Sequence, residues 1–291
     1  MNLLNFWIIE GERLLVHSRY DLGRPSALLL FFALSFAVSP LAAQPLPIAN
    51  SSFEEGQDHP ARWTLSNGAE GFWLDGDAAS GQRAIALRGD GQSTSYWRSA
   101  SIDFAPSRLY ALYFSARSIG GKNGAPMTGP RFCNRDIGDL PQSWSSFKSV
   151  FFTPTQLQSE DSWLRFGQWR VEGSLAFDAL RIVPVEPIYA QHSDIELGEG
   201  ESIKGTRYRF TAPFNSPSRN HSRPLSNHRC DFNTNRWVFA NESEVVYRHT
   251  LANRMQLSAK IGVGIGHYES GSLLVEASSN GQTYFELGLM S

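Results

Sequence analysis

Trp163, Arg165 and Trp169 stand at odd positions of one short segment, so the pleat of a strand puts all three side chains on one face. That trio could hold a sugar ring. A flat aromatic side chain stacks on the C–H face of a pyranose, and a guanidinium offers a fork of N–H donors to its hydroxyls. Tyr113 and Trp97, the latter beside Arg98, are further candidates on other short runs. The competing account of each aromatic is structural, because Trp and Tyr bring large apolar area to a core.

Other chemistries lack their motifs. There is no Gly-x-Ser-x-Gly, no His-Glu-x-x-His and no phosphate-binding Gly-x-x-x-x-Gly-Lys. The run Gly262-Val263-Gly264-Ile265-Gly266 reads as strand, with no helix after it, and is not a dinucleotide fingerprint. The histidines are scattered without metal-ligand spacing. Glycosidase chemistry needs two facing carboxylates, and nothing in the sequence pairs Glu54, Glu55, Asp75 or Asp77. Cys133 and Cys230 lie far apart, as one long-range disulfide or as two free thiols. Asn50-Ser51-Ser52, Asn220-His221-Ser222 and Asn241-Glu242-Ser243 are formal glycosylation sequons, relevant only in a eukaryotic secretory route.

The chain that must position these groups has 291 residues, 41% hydrophobic, 12% aromatic and only 19% charged. That composition excludes a disordered tail, a coiled coil and a collagen-like fibre. A net charge of −2 gives no long-range attraction to nucleic acid. Near the N-terminus, an apolar run from Ala27 to Val38 follows Arg19 and Arg24 and precedes Ala42-Ala43. This is the order of a secretory signal, and the run is short for a membrane span of about 20 residues. Residues 1–43 are therefore expected to be a signal peptide or, if uncleaved, a membrane anchor, with the mature chain starting near Gln44 and exported.

Beyond Gln44, short alternating runs dominate, separated by Gly, Pro, Asn and Ser. Strands are predicted over 82–88, 108–117, 147–152, 162–171 and 175–183, with Tyr110, Leu112, Phe114, Leu164 and Phe166 inward. The run Val183-Pro184-Val185-Glu186-Pro187 breaks the pattern. Strands resume over 208–212, 236–240, 244–250 and 255–264, ending in a hairpin, 272–277 and 283–287, turned by Asn280-Gly281. Residues 118–141 read as a long Gly/Pro-rich loop, either rimming a groove or simply mobile. The fold class is all-β: two tandem antiparallel jelly-roll sandwiches over 46–186 and 190–291, behind an N-terminal apolar helix. The second is either incomplete or closed by an earlier strand, since a sandwich commonly continues after such a hairpin. Its polar clusters, Asn220 to Arg223 and Asn233 to Trp237, are a second ligand site or capped turns.

The first region carries an ordered set of short motifs. They are Asn50-Ser51-Ser52-Phe53-Glu54-Glu55-Gly56, Pro60 and Trp63; Ser80-Gly81-Gln82-Arg83-Ala84-Ile85-Ala86-Leu87; Leu109 to Arg117; Trp144, Phe147, Phe152 and Pro154; and Phe177-Asp178-Ala179-Leu180-Arg181-Ile182. This order resembles the CenC-type carbohydrate-binding modules, families four and nine, of the galactose-binding-like jelly rolls. The resemblance implies a sandwich that binds polysaccharide without catalysis, often attached to a glycoside hydrolase. It also implies a structural calcium ion with Glu54 and Asp178 as ligands, in keeping with the preference of calcium for hard oxygens. The alternative for Asp178 is a carboxylate satisfied by loop amides. Near the C-terminus, Leu273 to Tyr284 is similar to the hairpin of discoidin-like modules, with Asn280 and Tyr284 where those usually carry Asp and Trp.

These readings favour a secreted, non-catalytic polysaccharide-binding protein, its site at Trp97, Tyr113, Trp163, Arg165 and Trp169. The alternatives are an envelope protein using its sandwiches for adhesion, and, further off, a glycoside hydrolase. Expected partners are a glycan and, only through an uncleaved anchor, a membrane; nucleic acid is not expected.

Overall fold

The structure, a computed structural model, describes residues 2–10, 44–66 and 69–290. The apolar run 27–38 lies outside them. Among the described residues no helix is long and apolar enough to cross a membrane.

The chain forms β1 (Asn2–Glu10), β2 (Trp63–Leu65), β3 (Glu70–Asp75), β4 (Arg83–Asp90), β5 (Thr94–Ser99) and β6 (Leu109–Ser118). There follow β7 (Ala125–Pro130), β8 (Cys133–Asp136), β9 (Ser145–Phe152), β10 (Leu164–Trp169) and β11 (Glu172–Pro184). Beyond Pro184 come β12 (Ala190–His192), β13 (Ile195–Leu197), β14 (Glu201–Lys204), β15 (Arg207–Phe210), β16 (Leu225–His228) and β17 (Asp231–Asn233). The last are β18 (Arg236–Phe239), β19 (Val245–Tyr247), β20 (Lys260–His267), β21 (Leu273–Ala277) and β22 (Phe285–Met290).

Two sheets face one another. The back sheet has the order β3-β4-β11-β6-β9, and the front sheet contains β2-β5-β10-β7-β8. The front sheet continues through a parallel pairing of β8 with β17, then β18, β1, β15 and β14, with β20 alongside β1. Period-two alternation supplies the filling. Phe114 and Phe177 from the back sheet meet Phe166 of the front, with ring centroids 5.3 Å apart in both pairs. A cluster of Phe104, Phe132, Phe151, Phe232 and Trp237 extends this core toward the C-terminal strands.

Residues 118–141 depart from the expected loop, for they contain β7 and β8. The first of them, β7, carries the residues that disguise a strand. Gly129 sits at φ +119°, where a Cβ would lie 2.1 Å from the Cys133 carbonyl oxygen, so only glycine lets the hairpin close. Pro126 and Pro130 lack an N–H to give to the ladder.

Cys133 and Cys230 are buried free thiols, which decides between the two alternatives open in the sequence. Burial pushes the Cys133 thiol up to about 12, so it is inert at neutral pH. The polar clusters of the second region serve as joints. Asn220 accepts from the Phe152 N–H at 2.9 Å and donates to the Phe152 carbonyl at 2.8 Å. Arg223 makes a two-point ion pair with Glu201, whose side chain is fully buried. The Tyr208 hydroxyl donates to the same carboxylate at 2.6 Å.

Candidate functional site

The front sheet presents an outer face built by β5 and β10. Arg98 pairs with Arg165, Tyr96 with Gly167 and Thr94 with Trp169 across this antiparallel ladder. The inward residues, Trp97, Leu164, Phe166 and Gln168, are all buried. Gln168 tolerates full burial because its amide donates to Ser95 Oγ at 2.9 Å and accepts from the Val171 N–H at 2.7 Å. Alternation then sets Arg165 and Trp169 outward together with Tyr96 and Arg98.

Gly167 is required here by close approach. A Cβ at this position would lie 2.2 Å from the Ser95 carbonyl oxygen and 2.4 Å from Tyr96 Cβ. Its absence lets Tyr96 settle on the face. The Tyr96 ring stacks on Trp163, centroids 5.8 Å apart and planes 14° from parallel. The Arg98 guanidinium lies 4.4 Å from the Trp163 ring centre, and that of Arg165 lies 5.2 Å from it. These are cation–π distances. The indole N–H of Trp163 donates to the Glu160 carbonyl at 2.6 Å. Trp163 is thus a nearly covered plate that holds two guanidinium groups in place.

Trp169 is the open part of the face, 48% exposed. Its cross-strand neighbours are Thr94 and Ala125, both small, and the Arg170 guanidinium lies 5.2 Å from its ring centre. An exposed indole flanked by small residues leaves room for a planar or ring-shaped ligand.

The five sequence candidates therefore separate. Trp163, Arg165 and Trp169 share the front face. Trp97 does not: it is 3% exposed and faces the core, with its indole N–H donating to the Ala86 carbonyl at 2.9 Å. Tyr113 points outward but from the back sheet, opposite Lys148 and Arg181 in register, with the Arg181 guanidinium 4.7 Å from its ring centre. Tyr96 and Arg98 were missed. Both faces of β5 carry an aromatic residue, so the parity of this strand was ambiguous; the small, buried Ser95 and Ser99 on the Trp97 side were the available signal.

Glu54 and Asp178, from different parts of the chain, both hold the backbone of residues 80–83. Asp178 accepts from the Ser80 N–H at 2.8 Å and the Ala179 N–H at 2.6 Å. Glu54 accepts from the Gln82 and Arg83 N–H groups at 3.0 and 3.1 Å. Burial pushes the Asp178 carboxyl up, the Ser80 and Ala179 amides pull it down, and the Glu54 charge raises it. Phe53 and Ala179, next to these carboxylates, are both left-handed, at φ 59° and 56°, a strained conformation for side chains with a Cβ. Among the described residues no group of three or more His, Cys, Asp or Glu could hold a metal ion. Two neighbouring carboxylates do fit the oxygen chemistry of calcium, which also accepts backbone carbonyls.

Fold and face together define an all-β sandwich with an aromatic and guanidinium surface on one sheet. Comparison with protein families finds no match, and comparison with curated proteins finds none. Among solved structures, the xylan-binding CBM22-1 domain of Paenibacillus barcinonensis Xyn10C is similar at 15% identity, over 50% of this chain and 98% of its own, with a TM-score of 0.37. The C-terminal family 22 carbohydrate-binding module of Clostridium thermocellum Xyn10B gives 16%, 50%, 99% and 0.36 for the same measures. A cyclase from Fischerella sp. TAU gives 15%, 50%, 100% and 0.40. Binding modules and an enzyme stand side by side at this level of likeness, so it carries no argument about function.

Proposed function

We propose that the protein binds polysaccharide without cleaving it, through the outer face of the front sheet, and that it acts outside the cytoplasm as a secreted or envelope component, alone or beside a glycoside hydrolase. The observation that carries this reading is Trp169, a half-exposed indole in line with a fixed Tyr96–Trp163–Arg98–Arg165 array. Stacking supplies affinity for a ring, and guanidinium donors orient it. The test is a pull-down of the full chain on insoluble polysaccharides. Trp169→Ala is expected to reduce retention roughly tenfold or more, in keeping with about 1–3 kcal/mol for a lost stacking contact, a magnitude taken from base–aromatic pairs, while the melting temperature holds. Unchanged retention by the variant would move the site elsewhere.

A second reading, an envelope protein making protein contacts, draws on the terminal hairpin. Leu274, Phe285, Leu287 and Leu289 are each about half exposed there, and exposed apolar residues grouped in this way mark interaction surfaces. Failure of the folded protein to bind any glycan would favour it.

Calcium is part of the proposal as a structural ion held by Glu54 and Asp178. It would neutralise the Asp178 carboxylate, whose charge burial and the neighbouring Glu54 disfavour. Chelation is expected to lower the melting temperature of the protein, and Glu54→Ala to abolish that response. A melting temperature indifferent to both chelator and Glu54→Ala would leave the backbone amides as the sole partners of these side chains.

A further inference from the structure

Arg98 and Arg165 stand directly opposite each other on the same face. Like charges at directly opposed positions destabilise a sheet, and among the described residues neither guanidinium makes an ion pair, although Asp231 is near enough to act on Arg165. The Arg98 side chain is exposed and makes no hydrogen bond or ion pair among the described residues; its guanidinium rests on the Trp163 ring. Arg165 donates from Nη2 to the Arg131 carbonyl at 2.5 Å and has a buried Nε–H with no partner. A buried donor left without an acceptor is costly, and more so on a charged group.

The nearby acids are already committed. Asp231 and Asp161 both pair with Arg131. With a whole-chain charge of −2, the pairing of two guanidinium groups beside an exposed Trp169 is a local arrangement rather than a reflection of a basic protein. The open fork of Arg98, with the charge of Arg165 fixed beside it against the same indole plate, is suited to an oxyanion, which accepts parallel charge-assisted N–H bonds that a neutral hydroxyl cannot match. From Arg165 to Trp169 the strand advances about 13 Å, so an anion at the first and a ring at the second belong to one extended chain.

We propose that this face selects an anionic glycan, with a uronate carboxylate or a sulfate ester held at Arg98 and Arg165 while another ring of the same chain stacks on Trp169. The proposal rests on the carbohydrate-binding reading above and narrows its ligand class. It is tested by affinity electrophoresis of the full chain through gels containing polygalacturonate, dextran sulfate, neutral xylan or a single-stranded oligonucleotide. The expected result is stronger retardation by an anionic glycan than by xylan. Polygalacturonate alone identifies the carboxylate, and dextran sulfate alone the sulfate ester. Arg98→Gln is expected to weaken that retardation roughly tenfold or more, the loss of charge-assisted hydrogen bonds, and Arg98→Lys to restore it only in part, because a point charge replaces the fork. Both changes lie at an exposed site, so unchanged melting curves check that the fold is intact. Retardation by xylan equal to or above that by the anionic glycans overturns the proposal and leaves glycan binding standing. Retardation by no glycan overturns both, as does retardation by the oligonucleotide alone. Anionic retardation insensitive to Arg98→Gln and Arg165→Gln also overturns it, since the charge selected would then lie elsewhere.

Discussion

Trp97→Ala is expected to lower the free energy of unfolding by about 3–5 kcal/mol, the range for emptying a core site of a large aromatic side chain, and to leave glycan binding by the folded protein intact. Trp97 is 3% exposed. It pairs across the ladder with fully buried Phe166, and its N–H ties the front sheet to the Ala86 carbonyl of the back sheet. Gly71 comes so near that a Cβ there would lie 2.8 Å from the indole, so the backbone already abuts the ring. Truncation removes the packing and the indole hydrogen bond between the sheets at once. Urea denaturation with a binding assay on the folded variant checks both halves. A stable variant that no longer binds would return Trp97 to the ligand site. The contrast with Trp169→Ala, where binding falls and stability holds, is what distinguishes a wall from a platform among tryptophans the sequence could not separate.

Acid should unfold this protein through its histidines. His228 is fully buried, packed 4.9 Å from Trp237 and 5.8 Å from Phe152 between ring centres. Burial holds it at about 4, below its ordinary 6.5; the same cause holds His221 at about 4. As pH falls below 6.5 the unfolded chain takes up the proton first, while the folded chain refuses it until about pH 4. The stabilisation is therefore complete above pH 6.5 and drains away between 6.5 and 4. A shift of that size corresponds to about 3 kcal/mol at the His228 site. Urea midpoints at neutral pH and near pH 4.5 measure the loss, and His228→Met should flatten the slope between them. A variant with the same slope as the parent would put the acid sensitivity elsewhere.

The strands were legible where alternation was clean. The predicted run 108–117 appears as Leu109–Ser118 and 236–240 as Arg236–Phe239, with Tyr110, Leu112 and Phe114 buried as expected. The terminal hairpin also forms, and Asn280 shapes its turn by accepting from the Gln282 and Thr283 N–H groups at 2.8 and 2.9 Å. Two things were hidden. Glycine and proline masked β7, and with it the pairing that makes Cys133–Asp136 a strand, because their meaning depends on a neighbour's carbonyl that only the fold supplies. The parity of β5 was hidden because Tyr96, Trp97 and Arg98 fit either face until packing against Phe166 picks one. Of the candidate face, the β10 half could be read from spacing, and the β5 half could not.

The parallel pairing of Cys133–Asp136 with Asp231–Asn233 has a bearing on solubility. Without it, β8 would end the front sheet on an open row of backbone donors and acceptors, the kind of border along which foreign chains add and aggregates grow. Phe232 donates its N–H to the Phe132 carbonyl at 2.8 Å and Thr234 to that of Asn134 at 2.9 Å. The Asn134 and Asn233 side chains lock the seam at 3.0 Å. The C-terminal half thus acts as a guard rail for the sandwich: it occupies the β8 border of the front sheet, two strands from β10, and closes it to foreign chains.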